Sequence, residues 1–265
     1  MEVLDQLGKI INTPSPDKLR IVSLVPSQTE LLYDLGLDSE VVGVTKFCIK
    51  PENWRKQKTV VGGTKAVKFE KIDDLQPNLI LANKEENEKS QIEQLSDKYP
   101  VWTSDIQTLE EALMMIKTVS TMVGKEERGA EIIQQIKTGF TSLSKIKVAE
   151  NSSKKTAAYF IWSKPMMSIG GDTFINEMMN FAGFQNVLAD QDRYPEVDKE
   201  TLQNLNPEYL LLSSEPFPFA EKHISEFQEI CPNAKILLVD GEMFSWYGSR
   251  LLYAPAYFES IIKSL

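Results

Sequence analysis

Glu70-Lys-Ile-Asp-Asp-Leu75-Gln-Pro77-Asn-Leu79-Ile-Leu-Ala-Asn-Lys-Glu85 returns 130 residues later as Glu200-Thr-Leu-Gln-Asn-Leu205-Asn-Pro207-Glu-Tyr209-Leu-Leu-Leu-Ser-Ser-Glu215. Glu, Leu, Pro and the closing Glu recur at the same steps. Each copy reads as a short helix, a proline that cannot continue it, a buried strand and a polar loop. One supersecondary unit is therefore used twice. Coincidence between two generic helix-proline-strand units is the alternative, because such units are common in α/β folds.

Outward from the first copy, Arg20-Ile-Val-Ser-Leu-Val25 is a short apolar run of the kind buried strands show, and Pro26-Ser-Gln-Thr-Glu30 turns it into an apolar-periodic helix ending at Gly36. Ser27 and Glu30 have capping-box spacing. Further strands are expected at Val41 to Thr45, Leu79 to Ala82, Val101 to Thr103, Thr156 to Trp162, Tyr209 to Leu212 and Lys235 to Val239, with helical stretches between them. Alternation of this kind gives parallel sheets and an α/β fold. Thr108-Leu-Glu-Glu111 has a second capping-box spacing, and from Glu126 to about Val148 a helix places Ile133, Ile136, Phe140 and Leu143 on one face. About twenty helical residues reach on the order of 30 Å, enough to tie two lobes together or to line one domain. Polar Glu150-Asn-Ser-Ser-Lys-Lys155 reads as the loop that enters the second lobe. The expected division is an N-terminal α/β lobe over 1–107, a linking helix region over 108–150 and a C-terminal α/β lobe over 151–265.

The chain has 265 residues, 42% apolar and 25% charged, which suits a folded protein with a substantial core. Its net charge of −9 repels a polyphosphate backbone, so nucleic acid is not an expected partner. No apolar run approaches the roughly 20 residues of a membrane span. The first twenty residues, with Glu2, Asp5, Pro14 and Pro16, lack the apolar core of a signal peptide. Cys48 and Cys231 read as two unpaired thiols, and the single histidine, His223, cannot build a His-rich metal cage. A Ser-His-Asp site would have only that one base. Val61-Gly-Gly-Thr-Lys65 lacks phosphate-loop spacing, and Gly170-Gly171 lacks the third glycine of a dinucleotide fingerprint. Gly170-Gly-Asp-Thr173 reads instead as a turn in which Asp172 or Thr173 caps a helix carrying Phe174, Met178 and Phe181. Any metal handled here is expected to arrive wrapped in an organic chelator.

Ligands of open α/β sheets bind beyond the carboxyl ends of the strands. The loops there contain Ser27 and Gln28, then Lys46, Phe47 and Cys48, then Asn83 to Glu86, Trp162 to Met167, Glu215 to Phe219, and Glu242 to Arg250. Trp162, Phe217, Phe219, Phe244, Trp246 and Tyr247 are candidates for flat apolar walls, and Lys46, Lys84 and Arg250 for answering ligand anions. Packed core is the plainer role for such aromatics. Trp246-Tyr247 is flanked by Gly241, Gly248 and Ser249, which is loop chemistry and predicts a surface position. Lys84-Glu85-Glu86 reads either as a solvated helix start or as part of the site.

The order Arg20-Ile-Val-Ser-Leu-Val-Pro-Ser-Gln-Thr-Glu30, Gly62-Gly-Thr-Lys65, the Glu70 to Ala82 unit, Gly170-Gly-Asp-Thr173, Tyr194-Pro-Glu-Val197 and Asp240-Gly-Glu-Met-Phe-Ser-Trp-Tyr-Gly-Ser-Arg250 resembles the helical-backbone metal receptors, from about Val3 to the C-terminus. These are substrate-binding proteins of ABC importers for cobalamin, ferric siderophores and haem, and the resemblance is greatest to the cobalamin-binding branch. It implies two Rossmann-like lobes, each with a parallel central sheet, joined by one long helix, with the ligand in the cleft between them and modest closure on binding. It implies no enzymatic activity and no resident cofactor or protein-held metal, the cobalt or iron chelate being cargo. It also implies a monomer working with a permease dimer in the membrane, in the periplasm or cell envelope. The ligand set implied is Ser27, Gln28, Lys46, Phe47, Thr64, Lys65, Lys84, Glu85, Trp162, Phe217, Trp246, Tyr247 and Arg250. Phe47 keeps an aromatic ligand position of the cobalamin-binding members, whereas Thr64 stands where they would have a tryptophan. Lys46, Lys65 and Arg250 would suit a siderophore carboxylate. By position, Glu70 and Glu200 match the acidic residue that each lobe of the family docks against permease arginines. Two like charges suit two equivalent basic pockets, although either glutamate would also complement a helix dipole. The alternatives are a two-lobed nucleotide- or sugar-dependent enzyme, which needs a catalytic base and a phosphate cradle, and an intracellular corrinoid or haem carrier, which would be cytoplasmic.

Overall fold

A computed structural model of the chain describes residues 1–149 and 154–265, and side-chain surroundings for all of these except 147–149. Most of the polar loop expected from Glu150 lies outside the described residues. The chain forms two compact units. One comprises Met1–Ile106, Glu110–Gln135 and Tyr247–Arg250, and the other Gln107–Leu109, Ile136–Trp246 and Leu251–Leu265.

In the first unit a hairpin, β1 (Glu2–Leu4) and β2 (Ile10–Asn12), precedes β3 (Ile21–Ser23), α1 (Pro26–Asp34), β4 (Val41–Val44), α2 (Trp54–Gln57), β5 (Thr59–Val60), α3 (Phe69–Leu75), β6 (Leu79–Asn83), α4 (Lys89–Ser96), β7 (Val101–Ser104) and α5 (Leu109–Met122). Strands β3 to β7 form one parallel sheet in the order β5-β4-β3-β6-β7. Both β3 and β6 are buried along their whole length, as near-continuous apolar runs between covered faces should be. Val22, Leu24, Val61, Ile72, Ile80 and Leu95 close one of its cores.

The long helix α6 (Glu126–Ala149) runs through the boundary between the units, and its 24 residues give a reach of about 36 Å. Its buried face carries Ile132, Ile136, Phe140 and Leu143. Ile133 is only half-buried, so the apolar stripe is turned by one residue from the expected one at that end.

The second unit continues with β8 (Lys155–Phe160), α7 (Phe174–Phe181), β9 (Phe184–Asn186), α8 (Lys199–Leu205), β10 (Tyr209–Ser213), α9 (Ile224–Ile230), β11 (Lys235–Val239), α10 (Gly241–Ser245) and α11 (Ala254–Ile262). Its parallel sheet has the order β11-β10-β8-β9.

The sequence echo is a structural repeat. α3 and α8 both end on a left-handed residue, Gln76 (φ 46°) and Asn206 (φ 42°), followed at once by Pro77 or Pro207. The strands they feed hold the same place: β6 lies between β3 and β7, and β10 between β8 and β11. The reversal at Gln76 and Asn206 turns each chain off its helix and into the sheet. Two α/β units with parallel sheets and one long helix are the architecture expected. Among the described residues no helix is long and apolar enough to cross a membrane.

Two local expectations fail. The Ser27–Glu30 capping box does not form, because Val25 takes the N-cap position, Pro26 occupies the first turn and no side chain caps the helix. Glu30 pairs with Arg250 instead. Lys84 to Glu86 form a turn, and the following helix starts only at Lys89. At the Gly170–Thr173 turn the expected cap forms: Thr173 caps α7, its Oγ1 accepting the Asn176 N–H at 3.2 Å.

Candidate ligand-binding site

In the first unit the strand order reverses between β3 and β6, which opens a crevice at their carboxyl ends. The loop after β6 is wound by two asparagines. Asn83 Oδ1 accepts the N–H groups of Glu85 and Glu86 at 2.8 and 2.9 Å, and Asn87 Oδ1 accepts that of Asn83 at 2.8 Å. This aims Glu86 at Tyr247, whose hydroxyl donates to Glu86 Oε1 at 2.9 Å. Burial, then the neighbouring Glu86 carboxylate, push the Tyr247 phenol well above its ordinary range, so it remains a donor. Gln28 donates from Nε2 to Ser104 Oγ at 2.7 Å and to the Ala82 carbonyl at 3.3 Å. Arg250 grips Glu30 with two hydrogen bonds. Gly248 lets this segment approach α1, since a Cβ there would stand 2.4 Å from the Ser27 carbonyl oxygen.

Other residues of the predicted set remain open to a ligand. Phe47 is 50% exposed, and the Lys46 ammonium lies 4.8 Å from its ring centroid. The pair sits over Gly63 and is tied to the next loop by a hydrogen bond from Lys46 N to the Gly62 carbonyl at 2.8 Å. Thr64 is half-buried. Lys65 Nζ bonds the Glu85 carbonyl at 2.5 Å, and Lys84 pairs with Asp105 at 2.6 Å. Of the basic residues expected to answer an anion, Lys84 and Arg250 therefore already face carboxylates, and Lys46 is the one lying over an aromatic face.

In the second unit the loops after β8 and β10 carry an aromatic wall. Trp162 is 40% exposed, with Phe217 edge-on at 5.6 Å. Phe217 packs against Phe219 at 4.7 Å and His223 at 5.2 Å. The Trp162 indole N–H donates to the Lys164 carbonyl at 3.2 Å, which fixes the ring. In the loop after β10 Glu215 Oε1 accepts from Ser245 Oγ at 2.7 Å and from the Trp246 indole at 2.9 Å. Burial pushes the Glu215 carboxyl above the usual range, with Glu242 and Asp240 adding to the effect.

The structure corrects the aromatic inventory. Phe244 is fully buried against Tyr159 and Phe258, and Phe219 belongs to the core with Phe160 and Phe227. Trp246 and Tyr247, expected on a surface loop, are each only 6% exposed, and the half-buried carboxylates of Glu215 and Glu86 supply acceptors for their polar tips. Asn87, Ser104 and the carboxylate of Glu215 organise these loops without having been singled out. The one signal for Glu215 was its place at the end of the echo, matching Glu85. A separate cavity of about 560 Å³ lies in the first unit between the hairpin turn, α4 and β7 and touches, of the predicted ligand residues, only Lys84.

The profile of the periplasmic binding protein family matches residues 21–229. An uncharacterised ABC transporter substrate-binding lipoprotein of Bacillus subtilis strain 168 is 29% identical over 241 residues, 88% of this chain and 76% of the relative. The vitamin B12-binding protein of Vibrio parahaemolyticus is 28% identical over 197 residues, 73% of this chain and 70% of that protein. A periplasmic haem-binding protein solved with two haems superposes with a TM-score of 0.81 at 20% identity, over 92% of this chain and 98% of its own, which is a likeness of fold. With its repeated α/β units and a profile match over 21–229, this chain belongs to the periplasmic binding protein family.

Proposed function

We propose that the chain is the substrate-binding component of an ABC importer and that its cargo is a metal chelate of corrinoid, haem or ferric-siderophore type. The family match and the relatives make it a substrate-binding protein. The observation that supports the cargo class is a solvent-exposed aromatic face at the carboxyl edge of each sheet, Phe47 with Lys46 in one unit and Trp162 on Phe217 in the other. Flat rings and a nearby cation suit a broad, planar, partly anionic guest. The same loops argue for capture over turnover. The Glu215 carboxylate holds Ser245 and Trp246, and the Tyr247 phenol holds Glu86. The metal enters as cargo, no resident cofactor is needed, and the chain works at the cell envelope as a monomer. Exposed Glu70 and Glu200, one in the first turn of each repeated helix, are the groups that meet the permease dimer.

The test is a thermal-shift panel with cobalamin, cobinamide, haem and ferric siderophores set beside nucleotide sugars. A true ligand at 100 times its dissociation constant stabilises by about 2.7 kcal/mol. Stabilisation by one of the chelates is expected. Stabilisation by nucleotide sugars alone would assign an enzyme.

A further inference from the structure

Asp5, at the turn of the β1–β2 hairpin, is 5% exposed, and only half of its carboxylate is used. Oδ1 accepts the N–H groups of Leu7 and Lys9 at 3.0 and 2.7 Å and so winds the turn. Oδ2 has no partner among the described residues. A carboxylate withdrawn from water costs free energy until its lone pairs are met.

The turn is seated on β7, the outermost strand of the first sheet. The Gln6 N–H donates to the Thr103 carbonyl at 3.1 Å, and the Gln6 side chain accepts the Asp105 N–H at 3.2 Å. Asp5 is thereby held beside Thr103, which is 4% exposed and whose hydroxyl makes no hydrogen bond among the described residues. Both residues line the cavity of about 560 Å³ between the hairpin turn, α4 and β7. That volume is typical of small-molecule sites. Apolar contact comes from Val101, which shares a face of β7 with Thr103, from Ile92 on α4 and from Leu7 at the hairpin tip.

The buried charge left unanswered here is negative. Lys84 is taken by Asp105 at 2.6 Å, and Lys89 pairs with Glu93 at 3.8 Å. Lys9 is exposed and forms no ion pair with Asp5, and exposed Asp97 offsets it at the rim. A primary ammonium brings three N–H donors and no acceptor, which suits a carboxylate oxygen and a hydroxyl. We infer that this cavity is a second ligand site, separate from the aromatic faces of Phe47 and Trp162, and that it takes a small organic amine. The ammonium meets Asp5 Oδ2 and Thr103 Oγ1, and the apolar body lies against Ile92, Val101 and Leu7. The inference stands independently of the importer reading.

The full-length chain is titrated with 2-phenylethylammonium and with two compounds of the same ring and stem, neutral 2-phenylethanol and anionic 3-phenylpropanoate. Saturation-transfer NMR of each compound reads its affinity. The ammonium is expected to bind about tenfold more tightly than the alcohol, and the anion more weakly than either. Asp5→Asn keeps an Oδ1 acceptor for the turn and removes the charge, so it is expected to weaken the ammonium about tenfold and to leave the alcohol unchanged. Thr103→Val keeps the shape of the side chain and touches no contact of the turn. It is expected to weaken the ammonium about threefold, and it carries the test if Asp5→Asn does not fold. No binding of the ammonium, equal binding of all three compounds, or binding of the ammonium that survives both substitutions undiminished overturns the inference.

Discussion

Glu30 and Arg250 stand 220 residues apart in the chain and meet through two hydrogen bonds, Arg250 Nε to Oε2 at 3.1 Å and Nη2 to Oε1 at 2.5 Å. Their side chains are 11% and 12% exposed, so the pair is largely withdrawn from solvent. Removing one partner of such a pair leaves an uncompensated charge and costs about 3–5 kcal/mol. Arg250→Ala is expected to lower the unfolding free energy obtained from urea titration by an amount in that range. Lys at the same position should recover only part of it, because an ammonium cannot reproduce the forked geometry. A double-mutant cycle with Glu30→Gln would show strong coupling. Additive effects would mean that the pair is a surface contact of small worth.

The Glu215 carboxyl gives a pH dependence of definite sign. Burial raises its folded pKa above the unfolded value. The folded state therefore holds its proton to higher pH than the unfolded chain, and the stability it contributes is full below the unfolded pKa and lost as pH rises through the folded one. Glu215→Gln keeps an acceptor for Ser245 and Trp246 without the charge. Parent and variant are expected to converge in stability at acid pH, with the variant at least as stable at neutral pH. Urea midpoints across that range would check this, and a variant weaker by the same margin at every pH would refute it.

Cys48 and Cys231 are both free and buried, and their raised pKa values keep them as thiols. A thiol reagent at mildly alkaline pH is expected to label neither in the folded protein and both on unfolding. Rapid native labelling of Cys48 would mean that the loop around Thr45 opens readily.

The repeat was legible in the sequence because its parts are strong local signals. Leu79 to Ala82 and Tyr209 to Leu212 are unbroken apolar runs, each preceded by a proline, and the strands they form, Leu79–Asn83 and Tyr209–Ser213, are buried throughout. The β1–β2 hairpin was not legible. Its three-residue strands expose Glu2 and Leu4 on one and Ile10 and Asn12 on the other, so no apolar run marks them. What holds its turn is Asp5 Oδ1, which accepts from Leu7 and Lys9 at 3.0 and 2.7 Å. The site divides in the same way. Phe47 and Trp162 stay exposed in polar loops, as their neighbours suggest. The burial of Trp246 and Tyr247 depends on acceptors 31 and 161 residues distant, and local composition carries no trace of such partners.

The repeat also sets the last prediction. Glu70 and Glu200 stand in the first turn of α3 and α8, and both are exposed. Helix-dipole complementarity alone would make each worth a few tenths of a kcal/mol to its own helix and nothing to transport. Docking on two basic pockets of a permease dimer would instead make them matter only together with the membrane partner. Charge reversal at both positions, Glu70→Lys with Glu200→Lys, is expected to leave chelate affinity within about twofold and to abolish uptake, with each single reversal intermediate. The readouts are ligand titration of the purified chain and uptake of labelled chelate by cells carrying the permease. Undiminished uptake by the double variant would return both residues to the helix-dipole role.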